Sequence, residues 1–223
     1  MKKSLFSAAF LLVFSSLAFS QTITTASEFF KSVSDKYASV SDYEADLEIE
    51  AGKAKSTAHV SFKRPELVRI DYSDPAEQVI IFNGSDLQIY LPNSSAVLKQ
   101  TVESSRSSAA SIATPQGLTL LNRYYSVAYE TGPSPLPLDE GSEEMVVNLV
   151  LYRRANSETF TSIKLSIDPS SLMIRRVIAY PASGDSFRFD FSNYKLNKGI
   201  PSERFIYDPP SSANEYNNFL FSE

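Results

Sequence analysis

Lys63, Arg64 and Pro65 head a stretch, KRPELVRIDY, whose remainder alternates like a half-buried strand. They set a permanently charged fork with five hydrogen-bond donors beside an apolar run. A solvated arginine at a strand start is the plain alternative. Groups that could make or break bonds are scarce. His59 is the one histidine and there is no cysteine. His59 lies within a strand pattern next to Val60, where an imidazole with a structural role is expected. No GxSxG elbow is present, and seven glycines leave no phosphate-cradling loop. Gly84-Ser85-Asp86 and Gly141-Ser142-Glu143 read as turns. Nothing points to a carboxylate pair of the glycosidase kind. No catalytic residue, metal site or cofactor is therefore assigned, and the chain reads as a binding protein rather than an enzyme.

The elements around Arg64 follow from periodicity. Val68, Ile70 and Tyr72 share one strand face, and Arg69 and Asp71 share the other. Pro65 cannot donate to a ladder, so it belongs at a strand's first residue or an edge, and Arg64 belongs on a rim. Upstream, Thr25 and Glu28 are spaced as a capping box, and Phe29, Phe30, Val33, Tyr37 and Val40 form one helical stripe. Amphipathicity alone leaves two readings of that helix, a core-facing element and a lid over a cavity. From Tyr43 the period becomes two. Tyr43, Ala45, Leu47 and Ile49 face inward, and Glu44, Asp46, Glu48 and Glu50 form a solvated face rather than a metal site.

Strand-like runs recur at 57–62, 68–72, 78–82, 87–91 and 97–102, then at 145–152, 160–167, 173–180, 187–194 and 204–207. Asp74-Pro75, Asn83-Gly84, Pro92-Asn93, Asp168-Pro169 and Ser183-Gly184-Asp185 are the turns between them. Residues 103–113 are rich in Ser and Ala and read as a loop. Thr114-Pro115 then starts a short second helix through Leu118, Leu120, Leu121 and Asn122. About eleven strands with two helices exceed what a small barrel fills with its own side chains, so a cavity-enclosing barrel plugged by the helices is expected.

Met1, Lys2 and Lys3, an apolar stretch from Leu5 to Phe19, and Ala18-Phe19-Ser20 form a secretory leader cleaved before Gln21. Its loss removes two lysines and no acid, taking the formal net charge from −5 to −7. A basic nucleic-acid footprint is absent. The remaining chain, 21–223, is expected to be a single exported domain and a monomer, held by its core without disulfides.

One ordered series of short motifs carries more than any of its parts. It runs through Phe62-Lys63-Arg64-Pro65, Asp74-Pro75 with Gln78, Asn83-Gly84, Leu87, Tyr90, Pro92 and Gln100. It continues at Thr114-Pro115 with its leucines, at Phe187, Phe189 and Phe191-Ser192-Asn193, at Asn197, and at Phe205 with Asp208-Pro209-Pro210. The series resembles the periplasmic lipoprotein carrier family, LolA. The resemblance implies a mainly β fold, an incomplete antiparallel barrel of about eleven strands under a helical lid. It implies a carrier that takes lipoprotein acyl chains from an inner-membrane ABC-type transporter and delivers them to an outer-membrane acceptor. It also implies a latch at Arg64, donating to lid carbonyls in the empty form. Val68, Ile70 and Tyr72 would line the lipid cavity, and Val33, Tyr37, Leu118, Leu120 and Leu121 would belong to the lid. Gln116 and Gly117 stand where the family usually has larger apolar residues, and Ile70 and Gln88 where it often has tryptophan. A regulatory or sensory module of the same fold, or a carrier of another lipid, is the alternative.

Overall fold

The computed structural model describes residues 24–101 and 113–219. The leader read over 1–20 and almost all of the Ser/Ala-rich stretch lie outside the described residues. The chain opens with α1 (Ala26–Ser39), then β1 (Asp42–Ala51), β2 (Ala54–Lys63), β3 (Leu67–Asp74), β4 (Val79–Phe82), β5 (Asp86–Leu91) and β6 (Ala96–Thr101). After α2 (Pro115–Tyr124) come β7 (Tyr125–Tyr129), β8 (Leu136–Pro137), β9 (Met145–Arg153), β10 (Phe160–Ile167), β11 (Ile174–Pro181), β12 (Phe187–Leu196) and β13 (Asn214–Asn217).

The expected helices and turns form for the reasons their sequences give. The Thr25 hydroxyl accepts the Glu28 N–H at 3.2 Å, and the Glu28 carboxylate accepts the Thr25 N–H at 2.9 Å. Those bonds from Thr25 hold the Glu28 carboxyl below its usual range. In α2 the Thr114 hydroxyl accepts the Gly117 N–H at 3.0 Å and Pro115 fills the first helical position. The β1–β2 hairpin turns at Gly52, whose φ of +60° suits glycine, and a Cβ there would meet the Asp185 carboxylate at 2.4 Å.

The strands form one sheet in the order β13-β6-β5-β4-β3-β2-β1-β12-β11-β10-β9-β7, with β8 beside β9. β13 and β7 are its two ends, so the sheet is not closed. Neighbours pair antiparallel except β13, which runs parallel to β6. The architecture is the unclosed sheet with two helices that the sequence implies, but with 13 strands rather than about eleven. β7 follows α2 without a linker, β8 is two residues inside the Gly-, Pro- and Ser-rich stretch 132–142, which reads as a loop, and β13 is four residues with every side chain exposed. β8 and β13 are too short to show a period, and β7 runs on directly from the pattern of α2. Residues 204–207 are not a strand. Ser202–Phe205 is a 3₁₀ turn, because this segment crosses the outer face of β3 and finds hydrogen bonds there instead of at a sheet edge.

Candidate functional site

The inward face of the sheet is apolar along rows that cross many strands. Register places Ala45, Val60, Ile70, Ile80, Ile89 and Leu98 in one row, and Tyr43, Phe62, Val68, Phe82 and Leu87 in the next. Toward the other end, Ile49, Phe189, Val177, Leu165, Leu149 and Tyr129 continue the same face. Antiparallel partners point to one side of a sheet, so each row is continuous. Both helices lie against this face. Phe30, Val33 and Tyr37 of α1 and Leu118 and Leu121 of α2 join the same buried cluster as Val60, Ile70, Leu149 and Leu165. Burial of each such side chain contributes about 1.5–3 kcal/mol.

Tyrosine hydroxyls fasten the helices to the sheet. Tyr37 of α1 accepts the Ile174 N–H at 3.1 Å, and Tyr194 donates to the Ile174 carbonyl at 2.9 Å. The two hydroxyls are 3.3 Å apart. Tyr129 of β7 donates to the Thr24 carbonyl just ahead of α1 at 2.9 Å. Tyr43 of β1 donates at 2.9 Å to the carbonyl of Ala113, the residue before the N-cap of α2. Burial pushes the Tyr37 phenol up to about 12 and those of Tyr43 and Tyr194 well above their usual value, so all three stay neutral hydrogen-bonding groups.

The family model of the outer membrane lipoprotein carrier protein LolA matches residues 48–208. The chain belongs to the LolA family. An outer-membrane lipoprotein carrier protein from Methylibium petroleiphilum is 26% identical over 163 residues, covering 73% of each chain. The fold is also that of an uncharacterized conserved protein from Thermus thermophilus, with a TM-score of 0.56 at 12% identity, covering 84% of this chain and 98% of that one. The Mycobacterium tuberculosis lipoprotein LppX gives a TM-score of 0.51 at 11% identity, covering 79% and 97%. These two likenesses concern the fold alone.

Against the LolA pattern, the residues singled out in the sequence fall as follows. Val68 and Ile70 are buried on the inward face, and Tyr72 is half-buried at its margin. Val33 and Tyr37 are fully buried on α1, as are Leu118 and Leu121 on α2. Leu120 is buried too, but outside the cluster that joins the other two leucines to the sheet. Arg64 opens the turn 64–66 between β2 and β3 and is exposed. Its backbone N–H donates to the Ser41 carbonyl at 2.9 Å, two residues past the end of α1. Its guanidinium has no hydrogen bond or ion pair among the described residues.

Three contributors were not legible. The period-two pattern puts Tyr43 on the inward face, yet the acceptor of its hydroxyl lies 70 residues downstream. In the sequence Tyr194 is only the last residue of a strand-like run. Arg69, on the outward face of β3, donates to both Asp71 oxygens at 2.9 and 3.0 Å and to the carbonyls of Arg204 and Ile206 at 3.0 and 3.3 Å, while lying 5.6 Å from the centre of the Tyr207 ring. Arg204 pairs with Asp71 from the other side. This cluster fixes the C-terminal segment to the outer face. His59 also lies outward, with Nδ1 3.1 Å from an Asp46 oxygen and Nε2 3.6 Å from Glu44. Asn193 donates to Asp46 at 2.8 Å, and with His59 it holds the Asp46 carboxyl below its usual range.

Proposed function

We propose that this chain is a periplasmic carrier that holds the acyl chains of a lipoprotein on the inward face of its sheet, beneath α1 and α2. On this reading the leader is cleaved before Gln21, and residues 21–223 form a single monomeric domain. Cargo passes from an inner-membrane ABC-type lipoprotein-releasing transporter to an outer-membrane acceptor. The observation that carries the reading is the pair of amphipathic helices lying with their apolar stripes against an apolar face of an unclosed sheet. Membership of the LolA family and the lipoprotein carrier named among its relatives support it.

The energetics fit a carrier. Hiding an acyl chain from water is worth about 0.8 kcal/mol per CH₂, so free lipoprotein would aggregate or return to a membrane. The carrier must also release that chain. Closing the helices onto the empty face lowers the free energy of the unloaded form and thereby weakens apparent cargo affinity. Arg64 sits beside the carboxyl end of α1, where a cation is favoured and backbone carbonyls lack helical partners. From there its guanidinium, which makes no hydrogen bond or ion pair among the described residues, would act as the latch by donating to those carbonyls in the empty form. Val68, Ile70 and Tyr72 line the space that opens when the helices lift.

Mass spectrometry of the protein isolated from the periplasm tests the reading. Co-purification of triacylated protein is the expected result. A different lipid, or no ligand after lipoprotein release has been blocked downstream, would overturn it.

A further inference from the structure

The two helices are not held alike. α1 is fastened near its start by Tyr129 and in its last turn by the Tyr37–Tyr194–Ile174 bonds. α2 is fixed firmly at its C-terminal end, where it runs straight into β7. There the Arg154 N–H donates to the Tyr124 carbonyl at 2.9 Å, the Arg154 side chain to the Tyr125 carbonyl at 3.0 Å, and the Tyr125 hydroxyl to Phe160 at 3.2 Å. Its other end meets the sheet where the Tyr43 hydroxyl reaches the Ala113 carbonyl. Lifting α2 about its junction with β7 therefore breaks the Tyr43 bond.

The broken bond leaves a donor in apolar surroundings. The Tyr43 ring lies 5.2 Å from that of Phe62, 5.5 Å from Tyr194 and 6.2 Å from Tyr37. The hydroxyls of Tyr37 and Tyr194 are committed to each other and to Ile174. An unpaired buried donor disfavours the open form by about ten-fold or more in population. Hydrocarbon chains bring no acceptor. An ester carbonyl at the head of an acyl chain does.

We propose that Tyr43 is a cargo-sensing residue whose hydroxyl exchanges the Ala113 carbonyl of the closed form for an ester carbonyl of the bound acyl ligand. The exchange makes opening cheap only when an ester-linked chain is present, so the site distinguishes acyl esters from equally apolar alkyl chains. This rests on the carrier reading above and adds to it the chemistry by which cargo is recognised.

The test uses the full mature chain and displacement of the dye 8-anilinonaphthalene-1-sulfonate. One pair of ligands is dioctanoyl glycerophosphocholine and its dioctyl ether counterpart. The other is a diacylglyceryl-cysteine peptide and its dialkyl ether counterpart. Wild type is expected to bind the ester of at least one pair about ten-fold more tightly than the ether, and Tyr43→Phe to bring that ratio within about two-fold. The pair with the larger ratio identifies phospholipid or lipoprotein as the source of the ester. Equal affinity for ester and ether in wild type overturns the inference without needing the variant, and so does a preference that persists in Tyr43→Phe. If wild type binds neither dye nor any of the four ligands, the carrier reading falls first and this inference falls with it.

Discussion

The hydroxyl of Tyr37 lies 3.3 Å from that of Tyr194, and both meet the backbone of Ile174. Ile174 N–H donates to Tyr37, Tyr37 donates to Tyr194, and Tyr194 donates to the Ile174 carbonyl, so every polar group in this buried ring is paired. The helix stripe sets how deeply α1 is buried, whereas this ring sets where along the sheet it sits. Tyr37→Phe leaves the Ile174 N–H without an acceptor and is expected to cost about 1–3 kcal/mol in urea unfolding. Combined with Tyr194→Phe, the effects should fall short of additive, because the two residues share one network. Strict additivity would show that the ring does not act as a unit.

Arg64→Leu is expected to change the unfolding free energy by no more than about 0.5 kcal/mol, as suits an exposed side chain. Cargo loading should be retained while transfer to acceptor vesicles slows. Normal transfer by this variant would remove Arg64 from the latch role.

Arg69→Ala should release the C-terminal segment from the outer face. Asp71 loses one of its two cations, and the carbonyls of Arg204 and Ile206 lose their donor. Protease cleavage between residues 207 and 219 is expected to quicken about ten-fold, with a fall in global stability of about 1–3 kcal/mol. Unchanged cleavage would mean that β13 anchors the segment by itself.

Acid should weaken the fold through Asp139. The Arg176 guanidinium hydrogen-bonds its carboxylate and holds its pKa below the usual value. A carboxyl depressed in the folded state stabilises above its unfolded pKa of about 3.9, and that contribution disappears as pH falls through the folded value. Asp139→Asn should therefore be less stable than wild type at pH 7, with the gap closing as pH falls from about 3.9 through the depressed folded value. Thermal melts across that range measure it, and a gap independent of pH would refute the assignment.

Much of the fold was legible because it is local. Thr25 with Glu28 announces α1, Thr114-Pro115 announces α2, and period-two runs mark ten of the strands. Short elements escaped. β8 and β13 are too brief to alternate, and 204–207 has a strand's composition but no sheet edge to join. Within the site, the inward placement of Val68 and Ile70 was readable from alternation, whereas the partners of Tyr43, Tyr194 and Arg69 were not.

The sequence by itself determined which faces are apolar, because side-chain direction in a helix or strand repeats with a fixed local period. Only the tertiary structure decided which hydroxyl meets which carbonyl. Tyr43 and Ala113, or Arg69 and Arg204, come together across 70 and 135 residues, at distances set by strand order and register that leave no periodic trace in the chain.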